Sequence, residues 1–200
     1  MINNYFKTVC VILLASLTQT LFGQNNVIQV STSKELYAAL SDALPKTIHI
    51  SKRIEDVNQI TLHSNQILVG DNEHAALIFR AGEEGIKLTE NNTIKNLHVQ
   101  TDPKKRAIFA DVSVSNWGNL SIQTVTTIGQ VQFLAKDKVT AGHVQINGLD
   151  IIYADVYDNK ERPAAWNVYL LQGALTIYNM QKDPSVIITS EILNVSVGRR

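Results

Sequence analysis

Apolar residues recur in short pairs from Thr47 to the end of the chain, one residue apart and separated by polar turns. Thr47-Ile-His-Ile-Ser puts Ile48 and Ile50 on one face and His49 on the other. Gln59-Ile-Thr-Leu-His repeats the arrangement with Ile60, Leu62 and His63. A period of two predicts half-buried strands. Further strands are predicted at Ile67-Leu-Val-Gly-Asp, Ala76-Leu-Ile-Phe, Ile86-Lys-Leu, Leu97-His-Val and Asn119-Leu-Ser-Ile. Val144-Gln-Ile, Leu149-Asp-Ile-Ile, Ala174-Leu-Thr-Ile and Ile192-Leu-Asn-Val complete the series.

The pattern turns helical once, after a β-prone lead at Val27–Val30. Thr32 with Glu35 three residues on is a capping-box signature, and Leu36, Ala39, Leu40 and Ala43 make one apolar stripe. Pro45 ends the helix, since it lacks an N–H and disfavours helix at Leu44. A lone amphipathic helix over 32–44, placed before a run of strands, is expected to cover the open end of the β structure.

Leu97, Leu120, Leu149, Leu175 and Leu193 mark Leu-x-Ile/Val pairs at irregular intervals of about two dozen residues. That spacing predicts an all-β solenoid in which no turn buries its apolar face alone and stacking supplies the core. The competing antiparallel sandwich calls for Asn-Gly or Asp-Gly hairpins. Asn147-Gly148 fits, but between stretches too short for a good hairpin.

Composition narrows the setting. Residues 1–23 carry one early Lys7 and an apolar run, Val9 to Leu17, too short to span a bilayer. This is the layout of a cleaved secretory signal peptide, so a secreted, periplasmic or cell-surface protein is expected, with no membrane span after cleavage. Residues 24–46 then form the lead strand and capping helix, and 47–200 the coils. Cys10 lies in the leader, which leaves the mature chain without disulfides, thiolate metal sites or a cysteine nucleophile. Eighteen basic residues face 18 acidic ones, and no global field favours nucleic acid. The chain stops at Ile192–Arg200, in or just after a strand with no polar cap, so further coils or a covering partner are expected there.

Residues 47–101 resemble the N-terminal coils of right-handed parallel β-helix proteins of the pectate-lyase-like superfamily. The resemblance rests on Thr47-Ile48-His49-Ile50, Ser64-Asn65-Gln66-Ile67-Leu68-Val69-Gly70, Gly85-Ile86-Lys87-Leu88 and Asn92-Thr93-Ile94-Lys95-Asn96-Leu97. It implies a right-handed parallel β-helix with an N-terminal capping α-helix. It does not carry the family's chemistry over. Pectate lyases continue with a Trp-Ile-Asp-His segment, calcium-binding acids and an arginine base. Here Trp117 is followed by Gly118-Asn119, and Arg162-Pro163-Ala164-Ala165 only echoes an Arg-x-Pro pattern. The Asn-Thr-Asp, Asp-Asp, Gly-His-Gly and Arg-Ile-Lys strings of polygalacturonases are absent.

The densest carboxylates are Asp150, Asp155, Asp158 and Glu161, with Lys160 and Arg162 beside them. Asp155, Asp158, Glu161 and Arg162 are the candidate catalytic residues: paired acids on a glycan groove serve as acid and base, or hold calcium in a lyase. A solvated corner loop ending at Pro163 accounts for the same residues. Tyr153, Tyr157 and Trp166 are the candidate ligand-binding residues, part of a late aromatic cluster with Tyr169 and Tyr178. Such rings form either an outer platform for sugar faces or a stacking spine between coils. His49, His63, His74, His98 and His143 are dispersed without metal spacing, and no metal or other cofactor is expected. Asn91, Asn92, Asn119 and Asn194 read as turn or stacking residues. The expected function is binding or scaffolding on extracellular polysaccharide. A divergent lyase or glycoside hydrolase acting on a uronate-type polymer is the alternative, and a purely structural surface protein a third reading.

Overall fold

The computed structural model describes residues 26–111, 113–155, 173–181 and 183–198, together with the backbone of Val168–Leu170. The expected leader at 1–23, with Cys10, lies outside the described residues.

Strands dominate. In chain order they are β1 (Val27–Val30), β2 (Thr47–Ile50), β3 (Arg53–Val57), β4 (Ile60–Thr61), β5 (Ile67–Gly70), β6 (Ala76–Phe79), β7 (Ile86–Leu88) and β8 (Thr93–Gln100). There follow β9 (Arg106–Ala110), β10 (Asn116–Ile128), β11 (Gln130–Ala135), β12 (Ala141–Tyr153), β13 (Val168–Leu170), β14 (Leu175–Asn179) and β15 (Ile187–Val197). One helix, α1 (Ser33–Leu40), sits between β1 and β2.

Among the described residues the strands form two sheets. The first runs β1-β2-β5-β8-β10-β12-β15, with β3 and β6 joining it at β8; the second runs β13-β14-β11-β9-β7-β4. Pairing is parallel throughout, apart from the antiparallel contact of β13 with β14. The sandwich alternative is therefore excluded, since neighbouring strands there run in opposite directions.

Register explains the core. Ile28, Ile48, Leu68, Ile94, Ile122, Ile146 and Ile192 follow one another across the first sheet in a single row. The five inner members are fully buried. A second row joins Leu97, Val125, Leu149 and Val195, and a third in the other sheet joins Ile60, Ile86, Ile108, Val131 and Leu175. Each such side chain contributes about 1.5–3 kcal/mol on burial, so the rows are the main stabilising feature of the molecule.

Long strands of the first sheet bend without breaking. Asn96, Thr124, Gly148 and Asn194 occupy equivalent positions in β8, β10, β12 and β15, and all have positive φ, at 52°, 51°, 79° and 52°. The left-handed residue reverses which alternate residues point inward. This corrects the Leu-based repeat. Leu97 and Leu149 share a row, Leu120 lies before the bend beside Val144, and Leu175 belongs to the other sheet. Leu193 sits opposite Asn147 and is 49% exposed. Asn147-Gly148 is likewise such a bend inside a parallel strand and makes no hairpin.

The helix starts as expected. Thr32 Oγ1 accepts the Glu35 N–H at 3.2 Å and the Glu35 carboxylate accepts the Thr32 N–H at 3.1 Å. It ends earlier than expected, at Leu40, and Ala43 is exposed beyond it. Ser41 Oγ donates to Ala38 O at 2.8 Å, and the buried Lys46 ammonium donates to Ala39 O at 2.9 Å. Those bonds satisfy the last carbonyls and stop propagation before Pro45 acts. Leu36, Ala39 and Leu40 are buried in the core. No described helix is long and apolar enough to cross a membrane.

Candidate functional site

Three consecutive passages between the sheets meet at one corner: the loop 101–105 from β8 to β9, Gly129 between β10 and β11, and residues 153–155 leaving β12. Backbone bonds lock them together. Thr101 N–H donates to Ile128 O at 3.0 Å, Gly129 N–H to Tyr153 O at 2.8 Å, Gln130 N–H to Lys105 O at 2.8 Å and Asp155 N–H to Pro103 O at 2.8 Å. Gly129 is required here: its φ is +110°, and a Cβ would lie 2.2 Å from Thr101 Oγ1 and 2.9 Å from Lys105 O.

Two adjoining clefts open at this corner, of about 400 and 360 Å³. Lys104, Lys105 and Asp155 line both. Glu84, Arg106, Gln130 and Gln132 complete one; Asp102, Pro103 and Tyr153 complete the other. Arg106 is held by contacts on two sides. Its guanidinium lies 3.9 Å above the Phe109 ring, and its Nε and backbone N–H both reach Glu84 Oε2, at 3.3 and 2.6 Å. Asp102 accepts the Gly82 N–H at 2.6 Å and Gln130 Nε2 donates to Asp155 O at 3.0 Å. The walls are thus held by bonds that do not depend on a ligand. They offer ammonium and amide donors, carboxylate acceptors and a Tyr153 ring that is 38% exposed.

Tyr153 and Asp155 are therefore brought together in one cleft. They do not share a strand face, because β12 ends at Tyr153 and Asp155 lies past it. Tyr157, Asp158, Glu161, Arg162 and Trp166 lie outside the described residues, as does Lys160. Asp150 belongs elsewhere: it accepts the Ser196 hydroxyl at 2.7 Å on the outer face of β12. Tyr178 lies opposite Leu134 in the second sheet. The histidines stay dispersed. His49 pairs with Asp71 through Nδ1 and His143 Nδ1 meets Thr189 Oγ1 at 2.8 Å. No group of three His, Cys, Asp or Glu residues able to hold a metal ion occurs among the described residues.

Asn91 and Asn92 act as turn residues, whereas Asn119 and Asn194 lie within β10 and β15. Asn92 is fully buried, donates to His63 O at 2.7 Å and Gln66 O at 3.2 Å, and accepts the Thr89 N–H at 2.7 Å. Asn91 donates to Asn65 Oδ1 at 3.2 Å and accepts from Asn119 N at 3.0 Å.

Lys104, Lys105 and Arg106 were not singled out as site residues by sequence reasoning. The signal was present as three consecutive cations after Pro103. No protein-family model, no curated protein and no solved structure matches the chain.

Proposed function

We propose that the chain winds as a right-handed parallel β-helix with α1 covering its first end. In this reading it is a secreted module that binds an acidic extracellular polysaccharide across the Lys104–Tyr153 corner. The row-by-row parallel pairing supports the winding, since each strand meets a successor one passage later. The observation that carries the binding reading is the composition of the corner. Three cations, two amides, three carboxylates and a half-exposed tyrosine converge on preformed clefts, with Glu84 already taken by Arg106 and Asp102 by the Gly82 N–H. A uronate polymer presents the complement: carboxylates for Lys104 and Lys105, hydroxyls for Gln130, Gln132 and Asp155, and a flat sugar face for Tyr153.

The test is binding of the full protein to polygalacturonate and to a neutral glucan, measured by calorimetry. Wild type binds the acidic polymer more tightly, and affinity falls with added salt. The Lys104→Ala/Lys105→Ala variant loses at least about tenfold, roughly the value of one charge-assisted bond. Unchanged affinity in that variant, with an unchanged melting temperature, overturns the reading.

Asp155 in the same cleft as Lys105 favours one second reading, a divergent lyase or hydrolase acting on the same polymer. Release of unsaturated or reducing ends, with and without added calcium, distinguishes it from simple binding.

A further inference from the structure

Beside the middle of β8 a separate cleft of about 440 Å³ lies where residues 71–75 overhang the bend at Asn96 and Thr124. Its position follows from Gly70. A Cβ there would lie 1.9 Å from Asn96 O and 2.8 Å from Ala75 Cβ, so only glycine lets the two passages touch. The overhang is pinned along its length. Asp71 N–H donates to Ile50 O at 3.0 Å, the Asp71 carboxylate takes Gln29 Nε2 at 3.0 Å and His49 Nδ1, and Asn72 Nδ2 donates to Ser51 O at 2.8 Å. His98 and Thr126, adjacent in register, form the floor.

We propose that this cleft is a second saccharide site, one that takes neutral, hydroxyl-rich sugar residues. Its lining holds Asp71 and Glu73 but neither lysine nor arginine, so a uronate carboxylate is disfavoured there. Sugar hydroxyls both donate and accept, which suits carboxylate acceptors beside Asn72, Asn96 and Thr126. Burial holds His98 below the usual histidine range, and the Arg53 charge adds to this. A hydrogen bond with Gln100 works against that shift and occupies one ring nitrogen of His98.

The floor also continues. His98, Thr126, Asp150 and Ser196 follow one another across β8, β10, β12 and β15, beside the row of bends. Their spacing is that of neighbouring strands, about 4.8 Å, close to the length of one pyranose unit. An extended neutral glycan lying along the rows meets a polar side chain at each residue. With an acidic polymer at the Lys104–Tyr153 corner, the protein becomes bivalent and links two kinds of chain. The second site stands without the first.

The experiment is NMR of the histidine ring signals in the full protein, titrated separately with cellohexaose, xylohexaose and hexagalacturonate. Expected is a shift of the His98 signals with a neutral hexasaccharide, at a Kd of about 1 mM or tighter. It persists in Lys104→Ala/Lys105→Ala and weakens at least about tenfold in Thr126→Ala, and the affinity measured by calorimetry falls at least about tenfold in His98→Gln. No His98 shift in wild type with either neutral sugar overturns the proposal whatever the variants do, as does a shift lost equally in the lysine variant. If hexagalacturonate alone fails to bind, the acidic-polymer reading falls and this site stands.

Discussion

Thr124 lies directly beside Asn96 across β8 and β10, and both hold a left-handed backbone, at φ 51° and 52°. Asparagine tolerates that region, whereas a β-branched residue there is a strained outlier. Thr124 is exposed, so its side chain contributes little packing against the strain. Thr124→Asn is therefore expected to raise stability by about 1 kcal/mol, or about 2–4 °C in melting temperature. Gly148, next along the same bend, has the opposite sensitivity. A Cβ there would sit 3.3 Å from Thr124 Cα at φ +79°, and Gly148→Ala is expected to cost about 1–2 kcal/mol. Thermal melts of the two variants check the pair, and equal shifts of the same sign would refute the argument.

Trp117 is fully buried, donates through Nε1 to Asp111 O at 3.1 Å and meets the Phe133 ring edge-on at 6.4 Å. Gly142 makes room for it: a Cβ would lie 2.9 Å from Trp117 Cβ and 3.0 Å from Cε3. Gly142→Ala is expected to overpack this corner and cost about 1–3 kcal/mol. The measurement is a urea titration followed by tryptophan fluorescence; a midpoint equal to wild type would show that the ring yields freely.

Period-two alternation made β2 and β4 legible, because one face of each is buried and the other is not. It fails for β9. In β9, Ala107, Ile108, Phe109 and Ala110 are all buried, since Arg106 lies over the outward Phe109 ring. A strand covered on both faces has no alternation to read. The leucine repeat failed for another local reason: one left-handed residue inside β10 or β12 resets the inward phase, and nothing in Gln123-Thr124-Val125 announces it. The corner was visible only in pieces. Tyr153, Asp155 and the cations at 104–106 come from different passages, and only register brings them together.

Lys46 is buried and bridges the end of α1, donating to Ala39 O and pairing with the Asp42 carboxylate. Gln66 supports the same turn by donating to Asp42 O at 3.1 Å and Leu44 O at 3.2 Å. Lys46→Met keeps the aliphatic stem and removes the donor, which leaves Ala39 O without that bond. A loss of about 2 kcal/mol is expected, with faster proteolysis of the segment 26–46 than of the sheets. Uniform proteolysis along the chain would argue against a local role.

Four exposed carboxylates have pKa values below the usual range: Glu35 through the Ser31 N–H, Asp42 through its hydrogen bond with Lys46, Asp56 through its two bonds to Arg80, at 2.8 and 3.0 Å, and Asp183 through the Ser185 N–H. A depressed folded-state pKa contributes stability above the unfolded value, about 3.9 for Asp, and loses it as pH falls through the folded value. Stability is thus expected to decline below about pH 4. Asp56→Asn removes part of that acid-side slope without altering the slope near neutrality. Urea midpoints measured down the acid range test this, and an unchanged slope in the variant would exclude Asp56 as a contributor.

Tyr153 and Asp155 separate binding from catalysis. The Asp155 backbone is tied at both ends, its N–H to Pro103 O and its carbonyl to Gln130 Nε2, so Asp155→Asn preserves the wall of the cleft. If the corner only binds, Asp155→Asn changes affinity for polygalacturonate less than Tyr153→Ala does. Loss of a stacking ring is worth about 1 kcal/mol, or about fivefold. If the corner is catalytic, Asp155→Asn abolishes product release while binding persists, because a carboxylate that moves a proton has no substitute in an amide. Turnover and affinity measured on the same two variants decide between these outcomes: a smaller loss of affinity in Asp155→Asn than in Tyr153→Ala, with no turnover in wild type, leaves a corner that binds this polymer without cleaving it.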